Sequence, residues 1–374
     1  MRIAIIGSGI AGLVCAWKLG RDHDVTLYEA NDYLGGHTHT HTVEQDAKTF
    51  AVDSGFIVHN PVNYPHFTAL LDELGGASQP TAMSFSVHKA DGGLEYNATT
   101  LDTLFCQRRN LLSPRFLGMV RDLMRFYREA PALLASQDPG PTLGDYLEQH
   151  RYGSAFRSDH LIPMASALWS APAARILDFP ARYLVQFMAN HQMLQVSQRP
   201  EWRVVQGGSS RYIHALRERW NVLVRLNCPV HAVTRQAGGV VVTSCDGQPH
   251  YDEVIFACHS DQALKLLADP TPAERQVLGA IPYQHNDVVL HTDARLLPRR
   301  RKAWAAWNAY VPADPSAPCS VSYCMNLLQG LSSRLPFIVT LNRSEAIDPA
   351  HVLARMRYHL SLIHISEPTR PERI

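Results

Sequence analysis

The first thirty residues constrain this chain most. Arg2-Ile3-Ala4-Ile5-Ile6 is a short apolar run rich in β-branched residues. Such a run, ended abruptly by glycine, predicts a buried parallel strand. Gly7-Ser8-Gly9-Ile10-Ala11-Gly12 follows, a full G-x-G-x-x-G. Leu13 to Leu19 suits a helix that Gly20 ends, and Asp24 to Glu29 reads as a second strand closing on an acid, with Ala30 next. Gly7 permits the tight turn, Gly9 removes a side chain where a diphosphate must approach the backbone, and Gly12 lets the helix pack on the strand. The helix N-terminus offers free N–H groups and partial positive charge. Glu29 is placed to accept hydrogen bonds from an adenosine ribose, and an acid there disfavours a 2′-phosphate. Strand, glycines, helix and acid in this order predict a bound dinucleotide. The motif alone leaves NAD and FAD both open.

Composition removes other classes. The chain has 374 residues, enough for two domains at about 150 residues each, or one large domain with an insertion. The net charge is +1 and no long basic block occurs, so nothing draws in nucleic acid. Seven cysteines are scattered without a C-x-x-C pair. That argues against a disulfide scaffold and a zinc ribbon, and favours a reducing compartment. No run of about 20 apolar residues predicts a membrane-spanning helix. The first strand begins at Arg2, which leaves no room for a signal peptide before it. A cytoplasmic protein is expected, with peripheral contact at the inner membrane face left open.

Asn31-Asp32-Tyr33-Leu34-Gly35-Gly36-His37-Thr38 comes next. Its glycine pair lets the chain pass close to the far side of a diphosphate. Asp53-Ser54-Gly55-Phe56 follows. With these residues the sequence resembles the FAD-dependent amine oxidase superfamily, which also contains carotenoid-type desaturases and protoporphyrinogen oxidase. Further segments narrow the likeness: Val52 to Val58, Tyr64-Pro65, Val205-Gln206-Gly207-Gly208-Ser209, Val254 to His259, Trp304 to Asn308, and Tyr323-Cys324-Met325-Asn326. They resemble a bacterial branch of NAD/FAD-binding amine-oxidase-like proteins often found beside cyclopropane-fatty-acid synthases. The resemblance runs from residue 1 to about residue 359.

The resemblance implies FAD as cofactor. It implies an α/β fold in which a Rossmann-like FAD-binding domain of the glutathione-reductase type is assembled from separate segments and interleaved with an α+β substrate domain. It implies cofactor contacts at Gly35, Gly36, His37 and Thr38, a flavin ring beside Gly55 and Phe56, a backbone hold on the adenine at Val230, and a second crossing at Ala257. Many members carry arginine after the glycine pair, where this chain has His37. A histidine can still donate to phosphate, with a charge that depends on pH.

The rest of the chain supports a split architecture: residues 1–75 and 201–275 for the FAD-binding domain, 76–200 and 276–359 for the substrate domain. Residues 70 to 200 read as largely helical, with Leu117, Val120, Leu123, Met124 and Tyr127 near helical spacing and a helix over Pro180 to Met193. Arg211 to Trp220 reads as a helix. Val222 to Leu226, Val230 to Val233 and Val240 to Val242 read as strands, the last two joined by a Gly238-Gly239 hairpin. Asp287 to His291 and Phe337 to Leu341 are further strands. Arg355 to His359 looks like family sequence. Ser361 to Ile374 instead resembles a translated sequencing-library adapter, so residues 360–374 are expected to be an artefactual tail. The family normally continues into a glycine-rich strand–helix segment over the flavin. A chain without it is expected to hold FAD weakly and to expose apolar surface.

Other constellations favour bland roles. His37, His39 and His41 alternate on one face, but they abut the phosphate-contacting loop, so no metal site is expected. Cys319 and Cys324 suit core thiols rather than a redox pair. Trp304 and Trp307 either line an apolar substrate cavity or belong to the core. His259 suits a packed strand end better than a base. The stretch Pro114 to Leu134 mixes Phe116, Val120, Met124 and Tyr127 with Arg115, Arg121, Arg125 and Arg128, which predicts a core helix with a solvated basic face ahead of a lipid-binding one. Gly207-Gly208-Ser209 lacks a nucleophile elbow, which argues against acyl transfer. No acid–base pair stands out, so catalytic side chains stay unassigned. The function expected is a flavoenzyme that takes hydride from a C–H bond of a small apolar or acyl-chain substrate. The alternatives are a flavin-binding accessory protein of a lipid-modifying enzyme and a true amine oxidase. An NAD-dependent dehydrogenase is a weaker reading.

Overall fold

The computed structural model describes residues 1–361 apart from 136–137, 139, 170–172, 197–198, 315–316 and 318. Residues 362–374, most of the expected tail, lie outside the described residues.

The N-terminal motif folds as a strand–helix–strand crossover. Strand β1 (Arg2–Ile6) runs parallel to β2 (Asp24–Tyr28) on one side and to β14 (Glu253–Phe256) on the other, and β10 (Val222–Arg225) extends the sheet beyond β2. The order is β10-β2-β1-β14, all parallel, so two chain segments more than 190 residues apart build one sheet. Helix α1 (Ile10–Leu19) starts at Gly9 and stops at Gly20, whose N–H returns to the Ala16 carbonyl. Its buried face is Gly12, Leu13, Ala16 and Trp17. These residues pack with Ile3, Ile5, Val25 and Leu27, and with Tyr212, Ile213 and Leu216 of the helix Ser210–Arg217. An apolar stripe on helices and uninterrupted apolar strands is what burial on both faces of a parallel sheet requires.

A second layer carries the larger sheet. It has seven strands in the order β19 (Val352–Ser361), β15 (Tyr283–His291), β18 (Ile338–Leu341), β17 (Ser320–Cys324), β16 (Trp307–Val311), β7 (Phe85–Lys89) and β8 (Glu95–Asn97). Pairing is antiparallel except between β7 and β16, where an early segment enters parallel to a late one. Residues 101–190 supply helices whose core packs Phe116, Met119, Phe126, Phe156 and Leu184 against Val87, Tyr96 and Ala309 of this sheet. Between the two layers lie a ribbon of β3 (Thr40–Gln45) and β4 (Lys48–Asp53), and a small sheet of β5 (Val58–His59), β9 (Trp202–Val205) and β6 (Ser78–Thr81). The hairpin β11 (Ala232–Gln236) and β12 (Gly239–Thr243), with β13 (His250–Tyr251), completes the fold.

The structure corrects three readings. Residues 78–81, 85–89 and 95–97 are strands, not helix. There Phe85-Ser86-Val87-His88-Lys89 finds hydrogen-bonding partners on β16 that local spacing does not reveal. In the helix Pro114–Glu129 the buried face is Phe116, Met119, Asp122 and Phe126, with Val120, Leu123 and Tyr127 part-buried against the same core, while Leu117 and Met124 are 44% and 48% exposed. Its arginines are paired: Arg115 with Asp159, Arg121 and Arg125 with Asp122, and Arg128 with Glu129. Finally, Cys228 and Cys245 form a disulfide. They lie at the ends of β10 and β12, which the fold brings together although 17 residues separate them in sequence. Cys319 and Cys324 are free. Among the described residues no helix is long and apolar enough to cross a membrane.

Candidate functional site

The turn after β1 is built by close backbone approach. Gly7 has φ +100°, and a Cβ there would sit 2.8 Å from the Ala257 carbonyl oxygen. A Cβ on Gly12 would overlap the Gly7 carbonyl oxygen and reach within 3.1 Å of the Ala257 Cβ. Ala257 in turn donates its N–H to the Ile6 carbonyl at 2.8 Å. Residues 7, 12 and 257 therefore lock helix, turn and the end of β14 together. Gly9 differs. A Cβ there would meet nothing within 4 Å. Gly9 starts α1 with no side-chain cap, and Ile10 and Ala11 beside it are exposed. The helix thus presents uncapped N–H groups to an open surface.

The glycine pair docks onto this turn. Gly35 N–H donates to the Ser8 carbonyl at 3.0 Å, and a Cβ on Gly36 would lie 3.2 Å from the Gly9 Cα. Phe56 N–H donates to the His37 carbonyl at 2.7 Å, while a Cβ on Gly55 would overlap that same oxygen. Thr38 Oγ1 is 2.6 Å from the Tyr212 hydroxyl. Residues 7–12, 35–38, 55–56 and 257 therefore meet at one end of the parallel sheet, the carboxyl end, where open α/β sheets hold their ligands.

Glu29 is buried at the same edge. Its Oε2 accepts from Ser8 N–H at 3.0 Å and Ser8 Oγ at 2.5 Å, and its Oε1 accepts from Asn31 N–H and Nδ2 at 2.9 and 2.8 Å. Those four bonds fill the carboxylate, so ribose hydroxyls would have to replace the side-chain donors of Ser8 and Asn31. The chain returns past this point: Cys228 N–H donates to the Glu29 carbonyl at 3.0 Å and Asn227 N–H to that of Asn31 at 2.9 Å. Val230, two residues on from Cys228, is buried in one cluster with Tyr28, and Ala30 is exposed.

Behind the cradle sits a polar network that local motif reading missed. Asp53 is fully buried. It accepts from Thr40 Oγ1 at 2.5 Å, from Ser209 N–H at 2.9 Å and Oγ at 2.8 Å, and from Gln329 Nε2 at 3.0 Å. Burial nevertheless pushes its carboxyl up to about 6. It ties β4, the Gly207-Gly208-Ser209 turn and the helix Met325–Gln329 to one another. The available signal was an acid closing an apolar strand in Phe50-Ala51-Val52-Asp53. The histidines also find partners. His41 Nε2 lies 2.9 Å from Ser54 Oγ, His39 stacks on Tyr33 at 4.2 Å, and His37 lies 5.2 Å from the Tyr358 ring and 5.7 Å from that of His259. Burial, with His259 and His359 nearby, pushes the His37 imidazole down to about 4, so it faces the cradle uncharged at neutral pH. Trp304 donates its indole N–H to the Pro298 carbonyl at 2.7 Å and belongs to the core, whereas Trp307 stands edge-on to Tyr323 at 5.2 Å.

The sequence model of the flavin containing amine oxidoreductases matches residues 10–305, more than three quarters of the chain. The chain belongs to that family. Its curated relatives include a candidate flavin-containing monoamine oxidase, AofH, of Mycobacterium tuberculosis, 27% identical over 288 residues, which are 74% of this chain and 61% of that protein. The chain thus spans about 61% of the length of that relative. Among solved structures, putrescine oxidase bound to putrescine superposes with a TM-score of 0.64 at 17% identity, over 92% of this chain and 77% of that one. The fatty acid isomerase of P. acnes that produces CLA gives 0.60 at 15% identity, over 97% and 88%. These likenesses show a shared fold. The cofactor of the family is FAD, and the cradle fits it. Gly9 leaves open space for a diphosphate beside uncapped helix N–H groups, and Glu29 and Val230 are the residues that would hold the adenosine end.

Proposed function

We propose that this flavin-dependent oxidoreductase takes hydride from a C–H bond of an apolar, acyl-type substrate. Bound FAD supplies the two-electron acceptor. The chain supplies the wall. Past Gly55 and Phe56, Ile57 and Val58 join an apolar cluster with Met83, Trp307, Tyr323 and Leu331, residues only partly buried apart from Ile57. The Tyr323 hydroxyl has no hydrogen-bond partner among the described residues, and burial alone drives its pKa up.

The observation that carries the reading is the state of the buried carboxylates. A substrate ammonium ion held by charge pairing would need an acid free to pair with it. Among the described residues, the substrate region buries four acids, and all are engaged. Glu95 takes Arg300 and the N–H groups of residues 299 and 300, Asp122 takes Arg121 and Arg125, Asp159 takes Lys89 and Arg115, and Asp293 takes Arg295. An uncharged chain needs no such partner. That the P. acnes fold-mate acts on a fatty acid is support by analogy of fold only.

The test mixes the FAD-loaded protein, without oxygen, with unsaturated or methylated acyl lipids and separately with simple amines, and follows the flavin absorbance. Bleaching by lipid but not by amines supports the proposal. Bleaching by amines alone overturns it in favour of amine oxidation.

A further inference from the structure

A second constellation adjoins the cradle without belonging to the dinucleotide motif. His259 and Asp261 stand at the turn from β14 into the helix Ser260–Leu266, and His359 lies near the end of β19. One ligand atom of each lies within 4.8 Å of those of the other two. Two of the groups have an atom without a partner: His259 Nδ1 and Asp261 Oδ1 are buried and make no hydrogen bond. A buried polar atom left without a hydrogen bond is costly, so two of them within one cluster point to a missing ligand. The surroundings hold the three in place. Tyr283 stacks on the His259 ring at 4.6 Å and its hydroxyl accepts the Ser260 N–H at 3.0 Å, while His285 stacks on His359 at 4.2 Å. Lys265, at 3.8 Å from Asp261 Oδ2, is the only cation paired with this acid among the described residues.

We infer that His259, Asp261 and His359 bind one divalent transition-metal ion. Two imidazoles and a carboxylate suit Zn²⁺, and also Co²⁺ or Ni²⁺, and poorly suit Mg²⁺ or Ca²⁺, which take oxygen ligands. Three protein ligands leave a position open for water or another donor. The ion would join the nucleotide sheet, through the end of β14, to the larger sheet, through β19. The alternating His37, His39 and His41 are not this site: His41 Nε2 lies 2.9 Å from Ser54 Oγ and His39 Nδ1 lies 3.4 Å from the Tyr358 hydroxyl. The remaining candidate group, Cys228, Cys245 and Asp246, has its sulfurs in a disulfide and offers no thiolate.

The experiment titrates the full chain, stripped with chelator and kept oxidised, with Zn²⁺ by calorimetry, and with Co²⁺ by visible absorption. One ion per chain is expected, with a Kd in the micromolar range or below and cobalt bands of a nitrogen–oxygen site. His359→Ala and Asp261→Asn are expected to weaken binding at least tenfold, while His285→Ala, which removes a stacking neighbour and no ligand, changes it less than threefold. Circular dichroism confirms that each variant is folded, and Asp261→Asn, which preserves shape, decides the matter if His359→Ala is not. Binding well below one ion per chain, or equal binding by wild type and Asp261→Asn, overturns the inference.

Discussion

Gly9→Ala is expected to separate cofactor binding from folding. The backbone at Gly9 is ordinary for an L-residue, with φ −63° and ψ 177°. A methyl group there meets no protein atom within 4 Å. The flavin-free protein should accept it, and the loss of backbone freedom in the unfolded chain should stabilise by about 0.4–1 kcal/mol. The methyl group does, however, fill the approach to the uncapped N–H groups of α1. Losing a single charge-assisted hydrogen bond to the diphosphate costs about 1.5–3 kcal/mol, or roughly ten- to 150-fold in Kd. Gly12→Ala is the contrast. Its Cβ would overlap the Gly7 carbonyl and press on Ala257, so α1 must back away from β1 at about 1–3 kcal/mol of overpacking. The assay is FAD titration by visible absorbance beside urea unfolding of the flavin-free chain. Gly9→Ala should lose FAD affinity and keep or gain stability, whereas Gly12→Ala should lose both. If Gly9→Ala binds FAD as tightly as wild type, or unfolds as readily as Gly12→Ala, the reasoning is wrong.

Further outcomes follow from the same structure. Asp53→Ala strips the acceptor from Thr40, Ser209 and Gln329 and should cost at least about 3 kcal/mol in urea unfolding; a loss below about 1 kcal/mol would contradict the network's role. Asp53 also predicts a pH dependence. Burial raises its pKa in the folded protein to about 6, above the ordinary carboxyl range, so its contribution is fully present below about pH 4 and is lost as pH rises through 6. Asp53→Asn should therefore gain on wild type between pH 4 and pH 7, and a constant gap across that window would refute the assignment. Cys228→Ser opens a link across 17 residues and should cost about 3 kcal/mol; unchanged denaturation with and without reductant would show that the bond carries no stability.

The dinucleotide crossover was legible because its determinants are local. The strand, the glycines, α1 and Glu29 lie within 29 residues, and the geometry of a turn is set by its own φ angles and the space around its own Cβ positions. The placement of Gly35, Gly36, Gly55 and Ala257 was legible only through likeness to a family, since their partners are the backbone atoms of residues 7–9, 37 and 38. The face of the helix Pro114–Glu129 is legible only in part, for a related reason. Val120, Leu123 and Tyr127 pack at the edge of the core, but only the presence of Tyr96 and Phe156 decides that Phe116, Met119 and Phe126 lie deepest while Leu117 and Met124 face outward. Tertiary structure alone decided the bond between Cys228 and Cys245, the three partners of Asp53, and the meeting of His259 and Asp261 with His359. Each joins strands or turns far apart in sequence, so no periodicity records it. Side chains such as these acquire a role only when sheet packing removes water from around them, because a buried polar group must find a partner where an exposed one need not.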